Sequence, residues 1–243
     1  MNEKELLAAG LGELRERDGD MGELFGSRGE DLLFLLDSYI QEIERFNPAY
    51  GLVGEKDRRE LVIKHILDSL APLGIICRLL KKTSKPPETG RAGSPVAAKE
   101  LSRRIADAGS GAGLPGIPLA ISLPACRFTL IERMGRRAGF LRNTLAVLGI
   151  TNADVEEGEI ERAEPGIFNL ITLRAFRPSE PAVLRELFRL LAPGGFLAAY
   201  KGRRDKISQE LGAVNSQQAS WEILPCPVPF LDEERHLVII RPS

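Results

Sequence analysis

The 243-residue chain carries 33 Lys and Arg against 34 Asp and Glu, a net charge of −1, and 43% of its residues are hydrophobic. Near-neutral charge excludes binding to nucleic acid through overall charge, so such a partner would have to be met by local basic patches. Cys77, Cys126 and Cys226 are far apart, odd in number and lack a Cys-x-x-Cys pair, which suits reduced, buried thiols better than a disulfide framework or a zinc site. No apolar run approaches membrane-spanning length, and the opening Met-Asn-Glu-Lys-Glu is not a secretory signal. The expectation is a cytoplasmic, monomeric protein with no membrane segment and no metal, long enough for one large domain with a small appendage.

Residues 1–29 are polar, charged and Gly-containing, with helical potential around Glu3 to Arg17, and read as a weakly anchored extension. Residues 30–80 read as a helical cap. Leu32, Leu33, Leu35, Leu36, Tyr39, Ile40, Ile43 and Phe46 keep a helical period that is expected to stop at Asn47-Pro48. A second helix is predicted from about Asp57 to Leu80, with Leu61, Val62, His65, Ile66, Leu67 and Leu70 on its apolar face and a kink or division at Pro72. Residues 81–98 are basic and rich in Pro, Gly and Ser, as in a flexible insertion.

From residue 99 to 243, short apolar strands alternate with helices. Strands are predicted near 103–107, 127–132, 153–156, 168–173, 195–200, 220–226 and 236–241, and helices near 113–122, 135–148, 179–191 and 204–212. Alternation of this kind predicts an α/β fold: a mainly parallel, seven-stranded Rossmann-like sheet covered on both faces. The last two strands follow each other and are expected to pair antiparallel at one edge.

The stretch DAGSGAGLPG, Asp107–Gly116, joins the first strand to the first helix of this domain. Gly109, Gly111 and Gly113 let a ligand approach the main chain, and the helix that follows is expected to turn unpaired amides toward it. Gly111-x-Gly113-x-x-Gly116 matches a dinucleotide fingerprint, a weak signal alone. Asp107, two residues before Gly109, favours a cationic cofactor over a pyrophosphate, which it would repel. Glu132 ends the second strand 19 residues beyond Gly113, where a carboxylate accepts hydrogen bonds from ribose hydroxyls.

Arg133, Arg136, Arg137 and Arg142 fall within ten residues at the binding edge, where they form either a phosphate-contacting patch or a solvated helix face. Arg174 follows a buried apolar strand and should face the crevice, since a core arginine would need a partner. Lys201 to Arg204 add a basic cluster at the same edge, and Arg235-His236 opens the last strand. His65 and His236 read as packed, hydrogen-bonded histidines. No nucleophile–base relay is present in the pattern; a nucleophile with a free lone pair would need only alignment and exclusion of water.

Several segments together resemble one family. Phe46–Tyr50, His65–Ser69, Asp107–Pro118, Phe128–Arg137, Phe140–Arg142, Arg174–Phe176, Lys201–Gly202 and Arg235–Val238 run in the order of the RsmG (GidB) family, from about residue 31 to the end. The resemblance implies a class I S-adenosylmethionine-dependent methyltransferase fold and methylation of N7 of one guanine in 16S rRNA of the small ribosomal subunit. It implies that Gly109 and Leu114 line the cofactor pocket, that Glu132 meets the ribose and that Ile160 and Glu161 flank the adenine. Arg174 would lie between cofactor and target base, as an orienting group and not a base. Arg136, Arg137, Arg142 and Lys201 become candidates for RNA contacts, and His65 and Asp68 for supporting the site. Gly51 and Glu159 depart from the usual pattern. Three other readings fit parts of the chain: a small-molecule methyltransferase, a nicotinamide-dependent oxidoreductase, and an RNA-binding protein that only keeps the fold.

Overall fold

The computed structural model describes residues 2–19, 21, 28–55, 57–83, 103–174, 181–211 and 219–243. Its sheet is built from β1 (Arg104–Ala108), β2 (Arg127–Glu132), β3 (Ala153–Glu157), β4 (Phe168–Arg174), β5 (Leu191–Lys201), β6 (Ala219–Pro225) and β7 (His236–Pro242). The strand order is β3-β2-β1-β4-β5-β7-β6. The first five run parallel, and β7 enters antiparallel between β5 and β6. The predicted antiparallel pair is present, with the chain-terminal strand on the inside of it. Burial explains that placement, because His236–Ile240 are buried while β6 alternates buried, half-buried and exposed residues as an edge strand can.

Among the described residues, the helices of the cap and the first crossover are α1 (Glu3–Arg17), α2 (Gly29–Tyr50), α3 (continuous helical backbone over Arg58–Glu60, Leu61–Leu67 and Asp68–Leu70), α4 (Leu73–Lys82) and α5 (Gly116–Ser122). Then follow α6 (Gly135–Val147), α7 (Pro181–Leu190) and α8 (Arg204–Leu211). The central stretch of α3, Leu61–Leu67, is π-helical. Asp57 caps α3 by accepting from the Arg59 amide at 3.1 Å. The helix predicted over 57–80 is divided at Ala71-Pro72, as expected of a proline that cannot continue the ladder. The insertion predicted over 81–98 lies outside the described residues from 84 onward.

Two expectations for the N-terminal region do not hold. The helix predicted to stop at Asn47-Pro48 runs on to Tyr50 and is closed by Gly51, whose left-handed backbone (φ 58°) lets its amide reach the Asn47 carbonyl at 2.9 Å. Pro48 lies in the last turn, where the missing amide removes only one ladder bond. The second correction is larger. Residues 3–17 are anchored: Leu6, Leu7, Leu11 and Leu14 are buried, and Gly10 lies so close to Leu67 that a Cβ there would meet its Cδ1 at 2.4 Å. The polar composition of the segment hides one continuous leucine stripe.

Replacing the fully buried Leu7 by Ala is therefore expected to lower stability by about 2–5 kcal/mol. A loosely attached segment would change by no more than about 0.5 kcal/mol, and urea unfolding separates the two.

Candidate functional site

In a doubly wound sheet the crevice opens where the strand order reverses. Here that point lies between β1 and β4. It brings together, at the carboxyl ends of neighbouring strands, the glycine loop after β1, Glu132 at the end of β2 and Arg174 at the end of β4. Ile160 begins a single 3-10 turn, Ile160–Arg162, after β3, and its side chain packs in the same apolar cluster as Ala108 and Ile131. Glu161, beside it, is exposed. Leu114 is buried.

The glycine loop is braced from inside. Asp107 is 1% exposed and accepts from the Ser110 hydroxyl at 2.6 Å, the Thr172 hydroxyl at 2.8 Å and the Gly116 amide at 3.1 Å. Burial pushes its carboxyl pKa up, while those three bonds and the charge of Arg174 pull against that shift. Gly116 has no room for a side chain, since a Cβ would lie 2.5 Å from Leu130 Cδ2 and 2.7 Å from the Asp107 carboxylate. Gly109 is the opposite case: its φ is 73° and nothing lies within 4 Å of the Cβ position, so the space in front of it is open.

The free amides expected at the start of the following helix are absent. The Gly116 amide is taken by Asp107 and that of Ile117 by the Gly113 carbonyl. Gly109 and Ser110 both donate to the Ile131 carbonyl, Gly113 and Leu114 to that of Ser110, and Gly111 to Glu132 at 2.8 Å. A loop whose amides are spent in this way is a poor cradle for a pyrophosphate, which needs them free. The open face at Gly109 leaves the loop approachable by a ligand all the same. Glu132 also accepts from the Met134 amide at 2.9 Å, so each oxygen holds one backbone bond and keeps a second lone pair for a ligand hydroxyl.

The cap fixes this edge. Tyr39 of α2, fully buried, donates to the Ala112 carbonyl of the loop at 2.7 Å, and Tyr200 of β5 donates to the Ser69 carbonyl at 2.9 Å. Arg174 Nη2 lies 2.6 Å from the Lys64 carbonyl, 3.1 Å from His65 Nδ1 and 3.0 Å from Asp68 Oδ2, all on α3. Its Nη1 is buried without a partner among the described residues. Asp68 also meets Arg235 Nε at 3.2 Å. Burial pushes the Asp68 pKa up, against the two guanidinium charges. A cavity of about 370 Å³ opens here, lined by Asp68, Arg174, Tyr200, Lys201, Arg235 and His236 among others.

The two cysteines flanking the sheet are chemically quiet: burial pushes the Cys126 thiol up to about 11 and that of Cys226 up to about 12. Among the described residues, no cluster of three or more His, Cys, Asp or Glu is arranged to hold a metal, and no helix is long and apolar enough to cross a membrane.

The family model described as rRNA small subunit methyltransferase G matches residues 93–238. A protein of that name from Treponema denticola is 38% identical over 216 residues, covering 85% of each chain, and one from Xanthomonas axonopodis is 36% identical over 204 residues, covering 84% of each. The chain belongs to this family. Membership makes it a methyltransferase of small-subunit ribosomal RNA. A solved structure from Klebsiella pneumoniae, assigned to the O-methyltransferases, shares the fold at a TM-score of 0.53 and 16% identity, over 84% of this chain and 90% of that one. The architecture is that of the class I methyltransferases.

For a member of this rRNA methyltransferase family, the placement of the basic residues matters. Lys201 pairs with Glu210 at 2.6 Å and Arg142 with Glu157 at 2.8 Å. Arg136 lies 3.3 Å from the Ala49 carbonyl and over the Tyr50 ring. Arg137 is half-buried, with an Nε that has no partner among the described residues. Sequence reasoning missed several residues that hold the site. Thr172 carries no motif signal, nor does Glu55, which meets His65 Nε2 at 2.6 Å; Ser110 stood only as part of the glycine loop, Tyr39 only as helix core, and Arg235 only as the start of the last strand and within a matched segment.

Proposed function

We propose that the chain transfers a methyl group from S-adenosylmethionine to N7 of a single guanine in 16S rRNA of the small ribosomal subunit. The observation that carries this reading is Arg174: placed beside the glycine loop, held on one side by the cap and left with a buried donor that has no partner among the described residues. The cofactor, when bound, supplies an electrophilic methyl carbon. Gly109, Gly111, Gly113 and Leu114 form the wall against which it would lie, with Asp107 bracing that wall from behind. Glu132 offers its free lone pairs to the ribose, and Ile160 and Glu161 flank the adenine.

Guanine N7 already has an exposed lone pair, so no residue has to remove a proton. Arg174 orients the base from the cavity side. Positive charge passes to the guanine ring during transfer, and the buried Asp68 and Asp107, both coupled to Arg174, are the carboxylates placed to balance it. Arg136, Arg137, Arg142 and Lys201 are the RNA contacts in this reading; three of them would exchange an internal partner for a phosphate. The enzyme acts as a cytoplasmic monomer, with residues 99–243 carrying the transfer and 30–80 forming the cap.

The test is incubation with labelled S-adenosylmethionine and small subunits from cells lacking the enzyme, followed by mapping of the label. Label at one N7-methylguanine is the expected result. With cofactor binding confirmed, failure to label subunits or free 16S RNA would overturn the assigned substrate.

A further inference from the structure

We infer that His65, oriented by Glu55, is the positioning residue that holds Arg174 in its working geometry, and that it does so only as the neutral imidazole. This rests on the role given to Arg174 above. Arg174 Nη2 can only donate, so His65 Nδ1, 3.1 Å away, must present a lone pair. The proton of the neutral ring then sits on Nε2, which faces Glu55 Oε2 at 2.6 Å. One tautomer satisfies both contacts, and Glu55 selects it.

Protonation reverses the first contact. With Nδ1–H present, two donors and two positive charges face each other, and the guanidinium loses one of its three anchors. The surroundings favour the neutral ring: His65 is mostly buried, and burial followed by the charge of Arg174 pushes its pKa below the usual 6.5, against the opposing pull of Glu55 and Asp68. Among the described residues, the charged groups around it are Glu55 before α3, Lys64 and Asp68 on α3, Arg174 on β4, and Arg235 before β7 acting through Asp68. For a group whose folded pKa lies below its unfolded value, the neutral arrangement holds above about 6.5 and is lost as pH falls through the folded value. Guanine N7 requires no deprotonation, so the acid limb of the rate belongs to the enzyme.

Two substitutions separate positioning from simple packing. Asn at position 65 sets its oxygen near the place of Nδ1, keeps the acceptor for Arg174 and does not titrate. Gln reaches the place of Nε2, keeps Glu55 and loses that acceptor. Single-turnover methylation of unmethylated small subunits would be followed from pH 5 to 8 for wild type, His65→Asn, His65→Gln and Arg174→Ala. Wild type is expected to slow on the acid side. His65→Asn should keep its rate within a few-fold and lose the acid limb. His65→Gln should be slower at every pH, by about tenfold to a hundredfold, as expected for a misplaced orienting group, with cofactor affinity unchanged.

Equal losses in the two His65 variants, or a wild-type acid limb retained in His65→Asn, would overturn the proposal. If Arg174→Ala itself kept the wild-type rate, the fault would lie in the role assigned to Arg174. If Arg174→Ala were inactive while both His65 variants followed wild type in rate and pH profile, the fault would lie with His65 alone.

Discussion

Replacing Asp107 by Ala is expected to remove cofactor binding and to lower stability by about 2–4 kcal/mol. The carboxylate is buried and is the common acceptor for Ser110, Thr172 and Gly116. Each donor left unpaired in the interior costs about 1–3 kcal/mol, and removing a buried carboxylate gives some of that back. Burial works against the charged carboxylate, pushing its pKa up, so the net loss is smaller than three orphaned donors would suggest. The effect on binding is larger, because Ser110 and Gly116 set the two ends of the loop that Gly109 opens to the ligand. Asp107→Asn keeps the shape but turns one acceptor into a donor, so it should fall between wild type and Ala. Urea unfolding and calorimetric titration with S-adenosylmethionine measure both quantities. An unchanged affinity in Asp107→Ala would mean that the loop holds its form without the brace.

Arg174→Ala is expected to reduce the methylation rate by about 10²–10³-fold, the usual loss when one preorganised donor is removed from a reaction centre. The fold should suffer less, by about 1–3 kcal/mol, because Asp68 keeps Arg235 as a partner. Arg174→Lys is expected to recover little. A lysine ammonium is a point charge on a flexible stem and cannot hold the α3 acceptors with one nitrogen while presenting a second donor outward. Single-turnover rates with saturating cofactor, set beside the cofactor affinity of each variant, separate loss of orientation from loss of binding. A rate within threefold of wild type for Arg174→Ala would show that the base is oriented by other groups.

Much of the site could be read along the chain because its parts sit at the ends of strands. A short apolar run before Asp107, another before Glu132 and a third before Arg174 are local patterns, and parallel strands in a doubly wound sheet place their carboxyl ends on one edge. The antiparallel pair β6–β7 was legible for the same reason, whereas the insertion of β7 between β5 and β6 was not, because strand order depends on which strand is buried on both sides. The N-terminal helix shows the limit of composition: charged residues dominate its count, yet four leucines on one face bury it.

By itself, then, the sequence determined the α/β alternation, the glycine loop and the three strand-end residues Asp107, Glu132 and Arg174, since each depends on neighbours within a few positions. Only the tertiary structure decided what those residues do there. Thr172 reaches Asp107 across 65 positions, and Lys64 and His65 reach Arg174 across 110 and 109. Hydrogen bonds over such separations depend on side-chain direction after the cap has docked on the sheet, and periodicity in the chain carries no record of it. The same holds for the loop amides, which the residue types leave available and the folded loop consumes.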